Sequence, residues 1–349
     1  MSPWLWIVLI VAAAAALTAA VLGLLRLRQK HNRSAVAELP HEPGAGPQRV
    51  AVILNPVKAQ ADQARHSIRS ALAAAGWPEP LILETTEDQP GDQQARQALQ
   101  WGADVVLVGG GDGTVRMVAQ ELRGTEVALG LLPLGTGNLL ARNLHLEVSN
   151  LEQSIQTALF GQQRRIDTGT FETENTVSGS RATHTFLVIA GLGMDAEVLG
   201  DTNDQLKKSV GWLAYSEAGV RHLPGRRRKV SLALDDEPPR HRKVRSVLFC
   251  NCALLPGGID FVPGALIDDG VLDVVVISPR SAVGWLAVTG KVLFQHRRGL
   301  PVIDFQQSQR AVVRSATPQQ VQVDGDPAGQ ATKVTVRVEP LSLLVRVNG

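Results

Sequence analysis

Between Arg49 and Leu132, short apolar runs alternate with segments of helical spacing. Val50–Leu54, Leu81–Leu83, Asp104–Val108 and Val127–Leu132 are dominated by aliphatic or β-branched residues and have strand length. Between the first two, Gln63–Ala75 places Ala64, Ile68, Ala71, Leu72 and Ala75 on one stripe, as a helix would. Helices are also expected at Asp92–Trp101, in the stretch ending at Leu122 and after Asn138. Such alternation predicts a doubly wound parallel sheet, with ligands at the carboxyl ends of its strands. After Arg164–Thr168 the pattern changes. Glu172–Thr183 is polar and reads as an exposed loop. Short β-like runs follow at Phe186–Ala190, Val230–Leu234, Val244–Ala253, Leu272–Ile277, Val321–Val323, Val334–Val338 and Leu341–Val347. Helical spacing returns only at Ser209–His222 and Ser281–Phe294, so this half is expected to be mostly antiparallel β.

The amino terminus follows another pattern. Trp4–Leu25 is uncharged and almost wholly apolar, and its 22 residues reach across a hydrocarbon core of about 30 Å. Arg26, Arg28, Lys30 and Arg33 follow it and nothing basic precedes it, which fits a membrane anchor with a cytoplasmic catalytic body better than a cleaved signal. Ala35–Gln48, rich in Pro and Gly, reads as a tether. The expected divisions are a transmembrane helix and basic collar over 1–33 and a linker over 34–48. An α/β domain over 49–165 and a β-rich domain over 166–349 follow, with a last strand able to return from the carboxyl terminus to the α/β sheet.

Charge refines this picture. The formal net charge of +2 argues against a wholesale polyanion binder. It conceals +3 in residues 1–50, −8 in 51–220, +6 in 221–245 and +1 beyond. The +6 segment holds Arg226–Lys229 and Arg240–Lys243, which a hairpin with Asp235–Glu237 at its tip would bring to one edge. Two readings stay open for that edge: an anionic-headgroup contact, or solvated strand ends. No aromatics interleave the basic runs, so nucleic acid is not an expected partner. Cys250 and Cys252, on one face of a strand, read as ordinary reduced thiols.

Candidate chemistry sits in two glycine loops, Gly109–Thr114 (GGGDGT) and Pro133–Asn138 (PLGTGN). Each is expected where a strand ends and a helix begins, so that free N–H groups and the helix dipole meet an anion there. Thr114, Thr136 and Asn138 would add donors. Neither the P-loop nor the ordered dinucleotide fingerprint is present. Asp112 would repel a phosphate unless a cation such as Mg²⁺ lies between them; the plainer alternative is a capping residue.

The order Asn55-Pro56, Thr85-Thr86, GGGDGT, PLGTGN resembles the diacylglycerol kinase catalytic family, which includes bacterial lipid kinases and sphingosine kinases. The resemblance covers roughly residues 50–347. It implies an α/β doubly wound nucleotide domain followed by a mostly antiparallel β-sandwich domain, with ATP and Mg²⁺ used in the cleft between them. It also implies nucleotide contacts from Asn55, Pro56, Thr86, Gly110, Gly111, Asp112, Gly113, Thr114, Gly135, Thr136 and Asn138. Thr85 is the less favoured threonine of its pair. The turn Asp268–Asp273 looks like the family's metal-binding turn, which implies a structural Mg²⁺ on Asp269 and the carbonyls of Leu266 and Val271; an ordinary hairpin turn is the alternative. Gly191–Ala196 is similar to the family's glycine-rich turn with an Asp. In Asp324-Gly325-Asp326, where the family has D-G-E, the resemblance makes Asp326 the proton acceptor, with Asp324 and Asp112 as its catalytic companions; another polar hairpin is the alternative.

The chain departs from the pattern at Ala59, Arg116, Met117 and Leu139, where the family commonly has Gly, Asn, Glu and Asp. The expected function is therefore a membrane-anchored lipid kinase, acting on a diacylglycerol-like or sphingoid hydroxyl. The alternatives are a soluble-substrate kinase related to NAD kinase, or a catalytically weak tethered nucleotide sensor. Oligomeric state is left open, a dimer included.

Overall fold

The computed structural model describes residues 46–193, 227–255, 259–280, 284 and 302–349. The apolar run Trp4–Leu25, its collar and most of the tether lie outside these residues. So do Met194–Ala196, Arg226 and the stretches Ser209–His222 and, Gly284 apart, Ser281–Phe294. Among the described residues, no helix is long and apolar enough to cross a membrane.

The first half alternates as expected. β1 (Val50–Leu54), β2 (Leu81–Glu84), β3 (Val105–Gly110) and β4 (Ala128–Pro133) run parallel in the order β4-β3-β1-β2. Helices α1 (Ala61–Ala74), α2 (Asp92–Trp101), α3 (Asp112–Leu122), α4 (Leu139–Asn143) and α5 (Leu151–Phe160) connect and follow them. Val50, Val52 and Leu54 pack with Ile68 and Leu72 of α1 and Ile155 and Leu159 of α5. Ala51 and Ile53 face the other way, with Ala98 of α2 and Val118 and Leu122 of α3. Both faces of this sheet are thus buried, which is why its strands are continuously apolar. The helix after Asn138 is short. His145, at φ +57°, ends it, and α5 restarts with the Asn150 Oδ1 accepting from Gln153 N at 3.1 Å.

The second half is β-rich: β5 (Gln162–Glu174), β6 (Arg181–Phe186), β7 (Ile189–Leu192), β8 (Arg228–Leu234), β9 (Arg240–Val244), β10 (Ser246–Cys250), β11 (Leu254–Leu255), β12 (Ile259–Asp260), β13 (Leu272–Ile277), β14 (Ile303–Ser308), β15 (Arg310–Val323) and β16 (Asp326–Val347). Its pairings are antiparallel, and Phe171, Phe186, Phe249, Leu232, Val313 and Val336 lie in one apolar core. An α/β domain is followed by a β-sandwich domain. The polar segment Glu172–Thr183 is not one loop: it supplies the end of β5 and the start of β6, joined by residues 175–180. Threonines suit an edge hairpin whose outer half is exposed, so no apolar alternation marks it. Cys250 and Cys252 are buried in one core, and burial raises both thiols.

β16 ties the halves together. It starts in a hairpin with β15, pairs β5 along most of its length, and near its end pairs β4 in parallel, Val345 opposite Leu129. The result is one hydrogen-bonded sheet from β14 to β2. A register shift between Glu339 and Leu343 bends the strand where Leu341 takes φ +49°. The buried Asp167 braces that bend, accepting from Leu341 N at 2.7 Å with one oxygen and from Gly270 N at 2.7 Å with the other.

Candidate functional site

β3 and β4 are neighbours in a parallel sheet, so their carboxyl ends bring the two glycine loops side by side. A Cβ on Gly135 would lie 2.8 Å from the Cα of Gly111, so only glycine lets the loops approach this closely. Gly137 likewise leaves room for the Asp112 carboxylate. Gly111 is the N-cap of α3, and no side chain caps the first N–H groups of that helix. Asp112 does not cap its own helix: its Oδ1 accepts from Leu139 N at 2.6 Å, at the start of α4. The carboxylate thus locks one glycine loop to the other. Burial raises its pKa, and the nearby Asp326 charge adds to the rise.

The other expected contacts divide into rim and frame. Asn55, half-buried, donates its N–H to Gly109 O at 2.8 Å and accepts Val57 N on Oδ1 at 3.2 Å; Pro56 is exposed beside it. Thr86 is exposed, with its Oγ1 accepting Gln89 N at 3.1 Å, whereas Thr85 is buried. Thr114 is buried against Gly110, and Thr136 is exposed on the second loop. Asn138 departs from its expected role as a donor to a ligand. Its Nδ2 donates to Pro133 O and Gly135 O at 3.2 and 2.8 Å, and its Oδ1 accepts Gly135 N at 3.0 Å. At φ +50° it folds its own loop, and its amide is spent there.

The second half contributes the turn between β15 and β16. Asp324 and Gly325 both have positive φ, +49° and +90°, as a two-residue hairpin turn requires. Asp324 is buried, and its oxygens accept N–H groups from Leu187, Val188 and Ile189 at 2.9, 2.9 and 3.0 Å. Asp326, the first residue of β16, points instead at the glycine loop: its Oδ2 is 3.4 Å from where a Cβ on Gly113 would sit. Arg116 of α3 donates to that same oxygen at 2.9 Å.

Asp269 lies outside this cleft. Its Oδ1 accepts Val271 N at 3.2 Å, and burial, followed by the charges of Asp167 and Asp268, raises its pKa. Leu266 is exposed beside it. Arg164 offsets Asp268 with two hydrogen bonds of 3.0 and 2.6 Å. Among the described residues, no three His, Cys, Asp or Glu side chains are grouped to hold a metal.

Sequence reasoning missed three residues. Lys58 reaches to 4.0 Å from the Cβ position of Gly111, a cation whose signal was its place in the turn after β1. Arg116 was noted only as a departure. Asn143 grips both backbone groups of Leu254 at 2.9 Å, joining α4 to the β-rich half, and no local pattern could show that.

Residues 49–171 match the model of the diacylglycerol kinase catalytic domain, and residues 188–347 that of the YegS C-terminal NAD kinase beta sandwich-like domain. The chain belongs to the diacylglycerol kinase catalytic-domain family. As a member of it, the protein is a kinase. It is 30% identical over 292 residues to a Pseudomonas aeruginosa protein named "Probable lipid kinase YegS-like", a match spanning 80% of this chain and 89% of that one. It is 26% identical over 244 residues to a Staphylococcus saprophyticus diacylglycerol kinase, across 68% of this chain and 75% of the relative. The crystal structure of a diacylglycerol kinase from Bacillus anthracis superimposes with a TM-score of 0.69, covering 87% of this chain and 98% of that one. At 21% identity, that likeness concerns the fold.

Proposed function

We propose that this kinase transfers the γ-phosphate of ATP to a hydroxyl of a diacylglycerol-like or sphingoid lipid, with Mg²⁺. The observation that carries the reading is the meeting of the Asp326 carboxylate, from the β-rich half, with the glycine loop that opens α3. Phosphoryl transfer needs positioning and charge neutralisation more than covalent help. The uncapped N–H groups at the start of α3, with Lys58 and Thr136 nearby, suit the nucleotide phosphates. Asn55, Pro56 and Thr86 form the rim beside them.

The donor set fits Mg²⁺. Asp112 offers a hard carboxylate oxygen beside the glycine loop; burial raises its pKa, and the Asp326 charge adds a smaller rise. When bound, the ion would neutralise charge on the β- and γ-phosphates. Asp326 orients the acceptor hydroxyl and takes its proton, while Asp324 holds the turn that presents it. A second, structural Mg²⁺ on Asp269 and the carbonyls of Leu266 and Val271 belongs to the same proposal. The Asp-Gly turn itself supports it, with the Asp269 Oδ1 accepting Val271 N at 3.2 Å. A membrane anchor at Trp4–Leu25, with the catalytic body in the cytoplasm, would bring this cleft to its substrate.

Labelled ATP, Mg²⁺ and a total lipid extract test the reading with the detergent-solubilised chain. Label should enter lipid, and Asp112→Ala or Asp326→Asn should lower transfer at least 100-fold, about 3 kcal/mol of barrier. Label in a soluble metabolite instead would turn the assignment to a soluble-substrate kinase; no transfer at all would leave a nucleotide sensor.

A further inference from the structure

Arg116 and Asp326 are 210 residues apart and meet at the mouth of the cleft. Arg116 lies four residues after Asp112 on α3, so both side chains leave the same flank of the helix. The Arg116 side chain is 13% exposed and that of Asp326 57%. A largely buried guanidinium facing a mostly exposed carboxylate is a poor device for stability, since desolvation falls on the cation while the pair remains open to water. The arginine is also underused. Its Nη2 serves Asp326, but its buried Nε has no hydrogen-bond partner among the described residues.

The surroundings do not supply what is missing. His184 of β6, near Arg116, has a buried Nε2 without a partner; burial and the arginine charge both lower its pKa, which disfavours a second cation. Asp324 has its oxygens engaged by three backbone N–H groups. Asp112 is tied to Leu139. A fork with donors to spare therefore stands beside Asp326 and within one turn of the helix start where phosphate is expected.

Resting on the reading that Asp326 takes the acceptor's proton, we propose that Arg116 is a clamp, holding Asp326 with one arm of its guanidinium and the γ-phosphate of the bound nucleotide with another. In the transfer step the acceptor oxygen bonds to the γ-phosphorus and its proton passes to the Asp326 carboxylate. The bond from that phosphorus to the bridging oxygen breaks, and its electron pair leaves with ADP. Arg116 fixes the base relative to the phosphorus. The clamp also links two departures noted in the sequence: an acid one methylene shorter than Glu at 326, and Arg rather than Asn at 116.

Titration calorimetry on the full-length protein in detergent with Mg²⁺, using the non-hydrolysable analogue AMP-PNP and ADP, separates a γ-phosphate contact from a general one. Arg116→Lys and Arg116→Asn should each weaken AMP-PNP binding about tenfold, the loss of one charge-assisted hydrogen bond. ADP affinity should stay within about twofold, which also reports an intact fold. In the lipid-extract assay both variants should lower kcat, Lys failing because it lacks the planar fork. Restoring the longer acid in Arg116→Asn/Asp326→Glu should recover part of kcat without recovering AMP-PNP affinity. Unchanged preference for AMP-PNP over ADP, or equal losses for both nucleotides, would overturn the clamp. Asp326→Asn at full turnover would instead remove the base assignment beneath it, so the two failures are distinguishable.

Discussion

Asp324 receives three backbone N–H groups from residues 187–189, whereas Asp326, beyond a single glycine, faces the cleft. Which of two carboxylates in a D-G-D turn is structural is decided by strand pairing. Val323 pairs with both Ala190 and Asp326, so the turn residue Asp324 falls over the chain entering β7. Burial pushes Asp324 up to about 6, against its hydrogen bonds, which lower it. The folded state then holds a proton there that the unfolded chain, titrating near 4, has released. Its contribution favours folding at low pH and fades as pH rises from about 4 through 6. Asp324→Asn should flatten that part of the stability-against-pH curve in urea unfolding. It should also destabilise the protein by about 1–3 kcal/mol at pH 7, because an amide cannot accept all three N–H groups. An unchanged slope between pH 4 and 6 would show that the carboxyl titrates normally.

At the scale of elements, the β8–β9 hairpin is where charge and register meet. Lys229 pairs with Lys243 and Ser231 with His241, and across β15 Arg314 pairs with Ser231. Lys229, Lys243, His241 and Arg314 are exposed on that outward face, whereas Arg242, on the other face of β9, donates to Asp304 at 2.6 Å. Anionic headgroups would gain about 1 kcal/mol per basic group near the surface. Lys229→Glu/Lys243→Glu should weaken sedimentation with phosphatidylglycerol vesicles by at least tenfold at low salt and leave neutral vesicles unaffected. Equal binding to both vesicle types would make these solvated strand ends.

Elements with strong local periodicity were legible: β1, β3 and β4, with the glycine loops after the last two, appear where aliphatic runs meet turn residues. The β5–β6 hairpin and β14 were not, because their stability comes from distant partners rather than their own alternation. The same holds at the site. Asp112 and the glycines could be read from one loop, but the spending of Asn138 on its own loop and the Arg116–Asp326 pair required the third dimension.

For the whole molecule, the continuous sheet means the two halves are not independent modules. The described residues, from 46 onward, form one compact unit. Removing residues 1–45 should therefore leave thermal unfolding and ATP binding of the body unchanged while releasing it from isolated membranes. Retention of the shortened chain on neutral membranes would place the anchor elsewhere.

The returning strand also bears on how the protein is made. β4 pairs with β3 on one side and, on the other, with the end of β16, which is synthesised long after it. During translation the nucleotide half emerges first, with the β4 edge bare, and it stays so until the end of β16 clears the ribosome. A nonsense codon just after Glu339 would keep both glycine loops and the D-G-D turn yet leave that edge open to neighbouring nascent chains. Its product would be lost to aggregation before chemistry could be asked of it.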